Sequence, residues 1–254
     1  MDRFHHTPND ARLTVVLAAL AAAVLNVSAQ TPAATPTPPK PAWEQSASLG
    51  FTLTKGNSDN ILFTADYRAA RKASQTEIAL GLDASYGEDN GKKNNEQFGA
   101  FGQFNWLFNE RFYAYGRLQG LHDSIADVEY RVTVSPGAGY YFIKNGKTLL
   151  SAEAGPGYTF ERLGGHNRDY ASLRIGEKFE HKFNDKTRVW QGLEFLPEVN
   201  DFSNYIATLE VGLETALTDK ISLRVTVRDI YNSAPAPGRD KNDFRLVTGV
   251  AVKF

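Results

Sequence analysis

Side chains able to make or break covalent bonds are sparse in this sequence. His122 and Ser124 stand two apart, which on an extended strand puts both on one face, as a base and a hydroxyl nucleophile require. Glu210 and Glu214 also share a face, yet four residues of strand hold them about 13 Å apart, too far for a carboxylate dyad. The other histidines are His5 and His6 near the N-terminus, His166 beside Asn167 in a Gly-rich stretch, and His181 alone. None of them clusters for a metal. Cysteine is absent, which excludes thiol catalysis, disulfides and thiolate metal sites. The expectation is a protein that is not an enzyme and holds no cofactor.

Charged residues carry a different message, because they recur at alternate positions between apolar ones. In the final segment Phe244, Leu246, Thr248, Val250, Val252 and Phe254 fall on one face, and Asp243, Arg245, Val247, Gly249, Ala251 and Lys253 on the other. A period of two residues means strands with a different environment on each side. Twelve such segments are predicted, near 43–54, 59–71, 75–87, 95–108, 111–122, 128–142, 148–161, 169–183, 187–199, 203–217, 221–231 and 242–254. Tight turns such as Arg71-Lys72-Ala73-Ser74, Asn109-Glu110 and Asn184-Asp185-Lys186 alternate with longer polar loops at 87–94, 123–127, 162–168, 197–202 and 232–241.

An all-β fold with short turns at one end and long loops at the other is the layout of a transmembrane, antiparallel, up-and-down β-barrel of about 12 strands. A secreted sandwich or lipocalin also alternates, but its strands are usually about 5–6 residues long, too short to cross a bilayer. Aromatic placement favours the membrane: Trp106, Phe108, Phe112, Tyr140, Phe142, Phe179, Phe183 and Phe254 lie beside the short turns. Tyr86, Phe98, Tyr130, Tyr158, Phe160, Tyr205, Tyr231 and Phe244 lie beside the long loops. Two belts of rings around an Ala, Val and Leu band match two membrane interfaces.

The other face must then line the barrel. It carries Asp66, Asp83, Glu153, Glu180, Glu194, Glu210 and Glu214 against Arg68, Arg117, Arg174, Lys178, Arg188, Arg224, Arg228 and Arg245. With both signs in similar number, the lumen charges are expected to pair into a largely closed, salt-bridged interior; the alternative is a narrow channel whose arginines draw small anions. Glu177 breaks the pattern by falling on the apolar face, which calls for a bulge or a place near the interface.

The 254 residues are 42% hydrophobic and 22% charged with a net charge of −1, so disorder is excluded and no basic field marks a nucleic-acid partner. A mean hydropathy of −0.38 leaves room for one long apolar run, Leu13 to Val27, behind Arg3 and Arg12 and before the small residues Ser28 and Ala29. Residues 1–29 read as a secretory signal cleaved after Ala29. Residues 30–42, with Pro32, Pro36, Pro38, Pro39 and Pro41, read as an extended spacer ahead of the barrel at 43–254.

The segment Trp43-Glu44-Gln45-Ser46-Ala47-Ser48-Leu49-Gly50, followed by Thr54-Lys55-Gly56-Asn57-Ser58, resembles the start of the family of salt-induced outer-membrane proteins, a domain of unknown function. The similarity runs over 43–254, and its most specific part is Leu49-Gly50 followed by Gly56, Asn57 and Ser58. The resemblance implies a barrel of the Gram-negative outer membrane, in outer-membrane lipid, with no established ligand or reaction. Phe254, ending an alternating strand, is similar to the C-terminal signal that the barrel-assembly machinery reads, which implies that partner. The His122-x-Ser124 pair is similar to that of the outer-membrane phospholipase, but the continuation Ile125-Ala126-Asp127 departs from that enzyme's pattern, leaving a lipid hydrolase as a distant alternative.

Overall fold

Long alternating segments punctuated by Gly, Asn and Asp fold into twelve strands, each pairing antiparallel with its neighbour in sequence. They are β1 (Trp43–Thr54), β2 (Asn60–Lys72), β3 (Thr76–Asp89), β4 (Lys92–Leu107), β5 (Phe112–Asp123), β6 (Val128–Lys144), β7 (Thr148–Leu163), β8 (His166–Lys182), β9 (Thr187–Glu198), β10 (Asp201–Ala216), β11 (Ile221–Asn232) and β12 (Asn242–Lys253). Pairing of β1 with β12, from Ser46↔Lys253 to Gly50↔Gly249, closes the barrel and leaves no strand edge. This computed structural model describes residues 42–54 and 60–254. The expected signal at 1–29, the spacer at 30–42 apart from Ala42, and Gly56, Asn57 and Ser58 of the first turn lie outside the described residues.

The pleat sends alternate side chains outward and inward, and the faces sort as the periodicity requires. Leu82, Leu118, Leu213 and Phe244 are 45%, 54%, 45% and 63% exposed on the outside, whereas Ser135, Glu161 and Glu214 are 0–1% exposed inside. This is the reverse of a water-soluble sandwich, and it suits a surrounding hydrocarbon. Rings gather at both rims of the outer face. Phe108 stacks on Phe112 at 5.6 Å and Tyr140 meets Phe142 at 5.1 Å near the short turns; Tyr158 and Phe160 lie 4.9 Å apart near the other end.

Three segments expected as long loops are tight hairpins. Asn90 and Gly91 have φ of 49° and 74°, and Gly164 and Gly165 have 57° and 78°, the left-handed pairs a two-residue turn needs; Val199 and Asn200 make the third. Strands outside a hydrocarbon band need no apolar face, so their polar ends read as loop. The connection at 124–127 is short as well, and among the described residues only 233–241 is long. Glu177 needs no bulge. The β8 register runs unbroken past it, and its Oε2 accepts a hydrogen bond from the outward amide of Gln191 at 3.1 Å.

Candidate functional site

Closure of the sheet brings the inward charges of all strands around one lumen. At mid-height Arg174 of β8 bridges Glu153 of β7 and Glu194 of β9, each at 2.7 Å. Arg117 of β5 reaches Glu194 at 3.7 Å and donates to the Gln103 side-chain oxygen at 3.0 Å. The amides of Gln103 and Gln119 and the hydroxyl of Tyr113 complete the two carboxylates' shells at 2.6, 3.0 and 2.9 Å. Two guanidiniums and two carboxylates cancel here, in a site where an unpaired charge would be costly.

A second net, nearer the short turns, centres on Glu214 of β10. It accepts from Arg224 at 2.7 and 3.0 Å and from Arg188 at 3.2 Å, and it forms an ion pair with Lys253 at 2.9 Å. Trp190 lies over Gly212, where any Cβ would overlap its ring, and donates its indole N–H to Glu210 at 3.0 Å. Arg188 and Arg224 flank that ring at 5.3 and 5.7 Å. Arg228 of β11 meets Asp83 of β3 at 3.5 Å, and on the wall of β1 and β2 Arg68 meets Asp66 at 3.6 Å and Ser48 donates to Asp66 at 3.2 Å. Arg245 donates to Ser85 at 3.0 Å and to Gln97 at 2.8 Å, and stands 3.4 Å from Asp243. Among the lumen charges singled out from sequence, Glu210 takes an indole rather than a cation, and Lys178, attracted by Glu180 and Glu153, forms no hydrogen bond or salt bridge among the described residues.

The nets line the barrel without filling it. A cavity of about 1240 Å³ runs inside, room for roughly forty waters at about 30 Å³ each. It reaches the short-turn mouth, where Trp43, Asn184, Lys186 and Phe254 line it. Toward the other end the lining stops at Ser85, Arg131, Leu196, Ile206, Ile230 and Arg245. A polar layer follows: Gln97 donates to Asp123 at 3.0 Å, Arg131 pairs with Glu161, Arg168 pairs with Glu161 at 2.7 Å and with Glu198 at 3.4 Å.

Above that layer the 233–241 segment leaves β11, crosses the mouth and returns to β12. Ala236 is 2% exposed. A Cβ on Gly164, in the β7–β8 turn, would stand 3.4 Å from both Ala236 and Pro237. Arg239 comes to 3.9 Å from Asp127, in the β5–β6 turn half a ring away. Neither this crossing nor the inward partners Gln103, Tyr113 and Trp190 were singled out from sequence, although alternation places those three on the lumen face.

The remaining candidates do not assemble. His122 Nδ1 lies 2.8 Å from the Glu129 carbonyl oxygen and Ser124 donates to Glu96 at 2.8 Å, so imidazole and hydroxyl turn to different partners. His181 Nδ1 lies 2.8 Å from the Thr148 hydroxyl, with its ring near Phe179 and Phe183. Among the described residues no group of three or more His, Asp or Glu could hold a metal. In the expected family motif Trp43 pairs with Arg71 across β1 and β2, Leu49 points outward, and Gly50 meets Gly249 at the seam.

No curated protein matches the sequence. Among solved structures the barrel is similar to the NanC porin, at 9% identity and a TM-score of 0.52 over 83% of this chain and 100% of that one. It is also similar to the COG4313 outer membrane channel from Pseudomonas putida F1, at 9% identity and a TM-score of 0.51 over 89% of this chain and 100% of that one. At these identities the likeness is one of fold. The family model described as protein of unknown function, DUF481, matches residues 47–254, from within β1 to the last residue, and the chain belongs to that family.

Proposed function

We propose that this DUF481 protein is an outer-membrane β-barrel of the Gram-negative envelope, with a structural or envelope-stress role of the salt-induced kind and a lumen that does not conduct steadily. The observation that carries the reading is the covered loop end, where the 233–241 segment lies over a salt-bridged layer. The apolar outer band with ring-lined rims supports outer-membrane lipid as its surroundings. In this reading residues 1–29 direct export and leave after Ala29, 30–42 form a spacer, and β12 with Phe254 is what the barrel-assembly machinery engages. Neither nucleic acid nor an enzymatic reaction belongs to it; the separated partners of His122 and Ser124 support the second point.

The hollow lumen and a fold shared with a porin and an outer membrane channel support the second reading, a narrow channel for small solutes. Planar-bilayer recording of the refolded protein separates the two. The expected result is no stable steps for the native chain, and steps once residues 234–240 are replaced by a two-residue turn. Stable anion-selective openings of the native chain, reduced by Arg224→Ala with Arg228→Ala, would install the channel in its place.

A further inference from the structure

Lumen charges left without partners gather at the short-turn end. Lys72, at the end of β2, and Lys178, on β8, come from walls six strands apart in a ring of twelve, and both line the same cavity. Both are exposed to it. Neither forms a hydrogen bond or ion pair among the described residues. Lys72 stands opposite Glu77 in the β2–β3 register, but Glu77 is held by Lys144 at 3.0 Å, by Asn105 at 3.3 Å and by Tyr141. The carboxylates near Lys178 are equally taken: Glu180 by Arg188 at 3.5 Å and Glu153 by Arg174 at 2.7 Å.

The surplus is local. Lys182 and Lys186 line the same mouth against the side-chain carboxylates of Glu44 and Asp185, all four without ion partners among the described residues. Glu180 and Glu214 together face three cations, Arg188, Arg224 and Lys253, so the engaged groups add one positive charge more. Higher in the lumen the surplus ends, with Arg68, Arg228 and Arg245 set among Asp66, Asp83 and Glu210. An anion drawn in from the short turns therefore gains attraction at the mouth and meets a balanced stretch beyond it, which favours holding at the mouth.

We propose that the short-turn mouth of the lumen is a binding site for a small, multiply charged phosphate-type anion, held between Lys72 and Lys178 from opposite walls. Ammonium groups act as mobile point charges, which suits a tetrahedral anion better than a planar carboxylate that an arginine fork would match. The inference goes beyond the proposed function and does not depend on whether the loop end stays covered.

The test is calorimetric titration with inorganic pyrophosphate of the refolded barrel in nanodiscs of phosphatidylcholine, so that no lipid carries net charge. Saturable binding is expected, weaker at high salt, and reduced by about tenfold or more in K72Q/K178Q because two charged donors are lost. K92Q, at the loop end of β4, should bind as the native chain does. Should the double variant fail to reach the barrel form, K72Q alone, at an exposed strand end, is expected to weaken binding several-fold. No saturable binding by the native chain, or undiminished binding by the lysine variants, overturns the proposal. Conductance is not read in this experiment, so a failure here leaves the closed-lumen reading to its own test.

Discussion

Glu214 shows how a single inward carboxylate organises this barrel. Its side chain is 1% exposed and is shared by Arg188, Arg224 and Lys253. Removing it leaves Arg224, 11% exposed, without a carboxylate, while Arg188 keeps Glu180 and Lys253 is 46% exposed; the cost of one such uncompensated buried charge, about 3–5 kcal/mol, exceeds that of a surface pair. Glu214→Ala is expected to lower the stability read from urea refolding into liposomes by that order, and Glu210→Ala, which loses the Trp190 indole hydrogen bond, by about 1 kcal/mol. The sign and face of these residues were legible in the sequence, since alternation alone assigns a face. Which cation meets which carboxylate was not, because ring closure and register set the neighbours. Lys178, expected to pair, has no salt bridge among the described residues, and Lys72 lies in Arg71-Lys72-Ala73-Ser74, which reads as a turn.

Strands make the two faces inequivalent, and substitution at adjacent register positions tests that. Leu213 and Thr226 lie on β10 and β11 one residue out of register, Leu213 outward and Thr226 on the cavity lining. Leu213→Arg is expected to destabilise membrane folding by about 2–4 kcal/mol, and Thr226→Arg by clearly less, measured as folded fraction by heat-modifiable gel mobility. The seam offers a second test. A Cβ at Gly249 would press on the Leu49 carbonyl at 2.5 Å and on Gly50 Cα at 3.3 Å, so β1 and β12 close through a pair of glycines. Gly249→Val should slow or block closure, seen as lost resistance of the folded band to trypsin, while Gly116→Ala on β5, with open space at its Cβ, should not. Strand number and the tight turns were readable from periodicity. The hairpins at Asn90-Gly91 and Gly164-Gly165 were not, because strand beyond the apolar band carries no alternating signal.

For the molecule as a whole, the cover over the loop end decides between a blind lumen and a channel. Its ion pair, Arg239 with Asp127, is 43% and 49% exposed and contributes at most about 1 kcal/mol. Burial of Ala236 against Gly164 is the stronger tether. Asp127→Asn is therefore expected to leave the bilayer current at baseline, whereas Ala236→Arg, which forces a charge into that contact, should produce intermittent openings. Current in the first variant, or none in the second, would place the tether elsewhere.

Sequence by itself determined the twelve-strand barrel, its inside and outside, and the balance of charge within. These follow from a two-residue period and from which side chains a hydrocarbon band tolerates, both local properties of the chain. The tertiary structure alone decided which charges cancel, that the lumen stays hollow, that free lysines collect at one mouth and that 233–241 spans the other. Each depends on distances across the ring, between residues of distant strands brought together by closure at a particular register, and no local pattern encodes that distance.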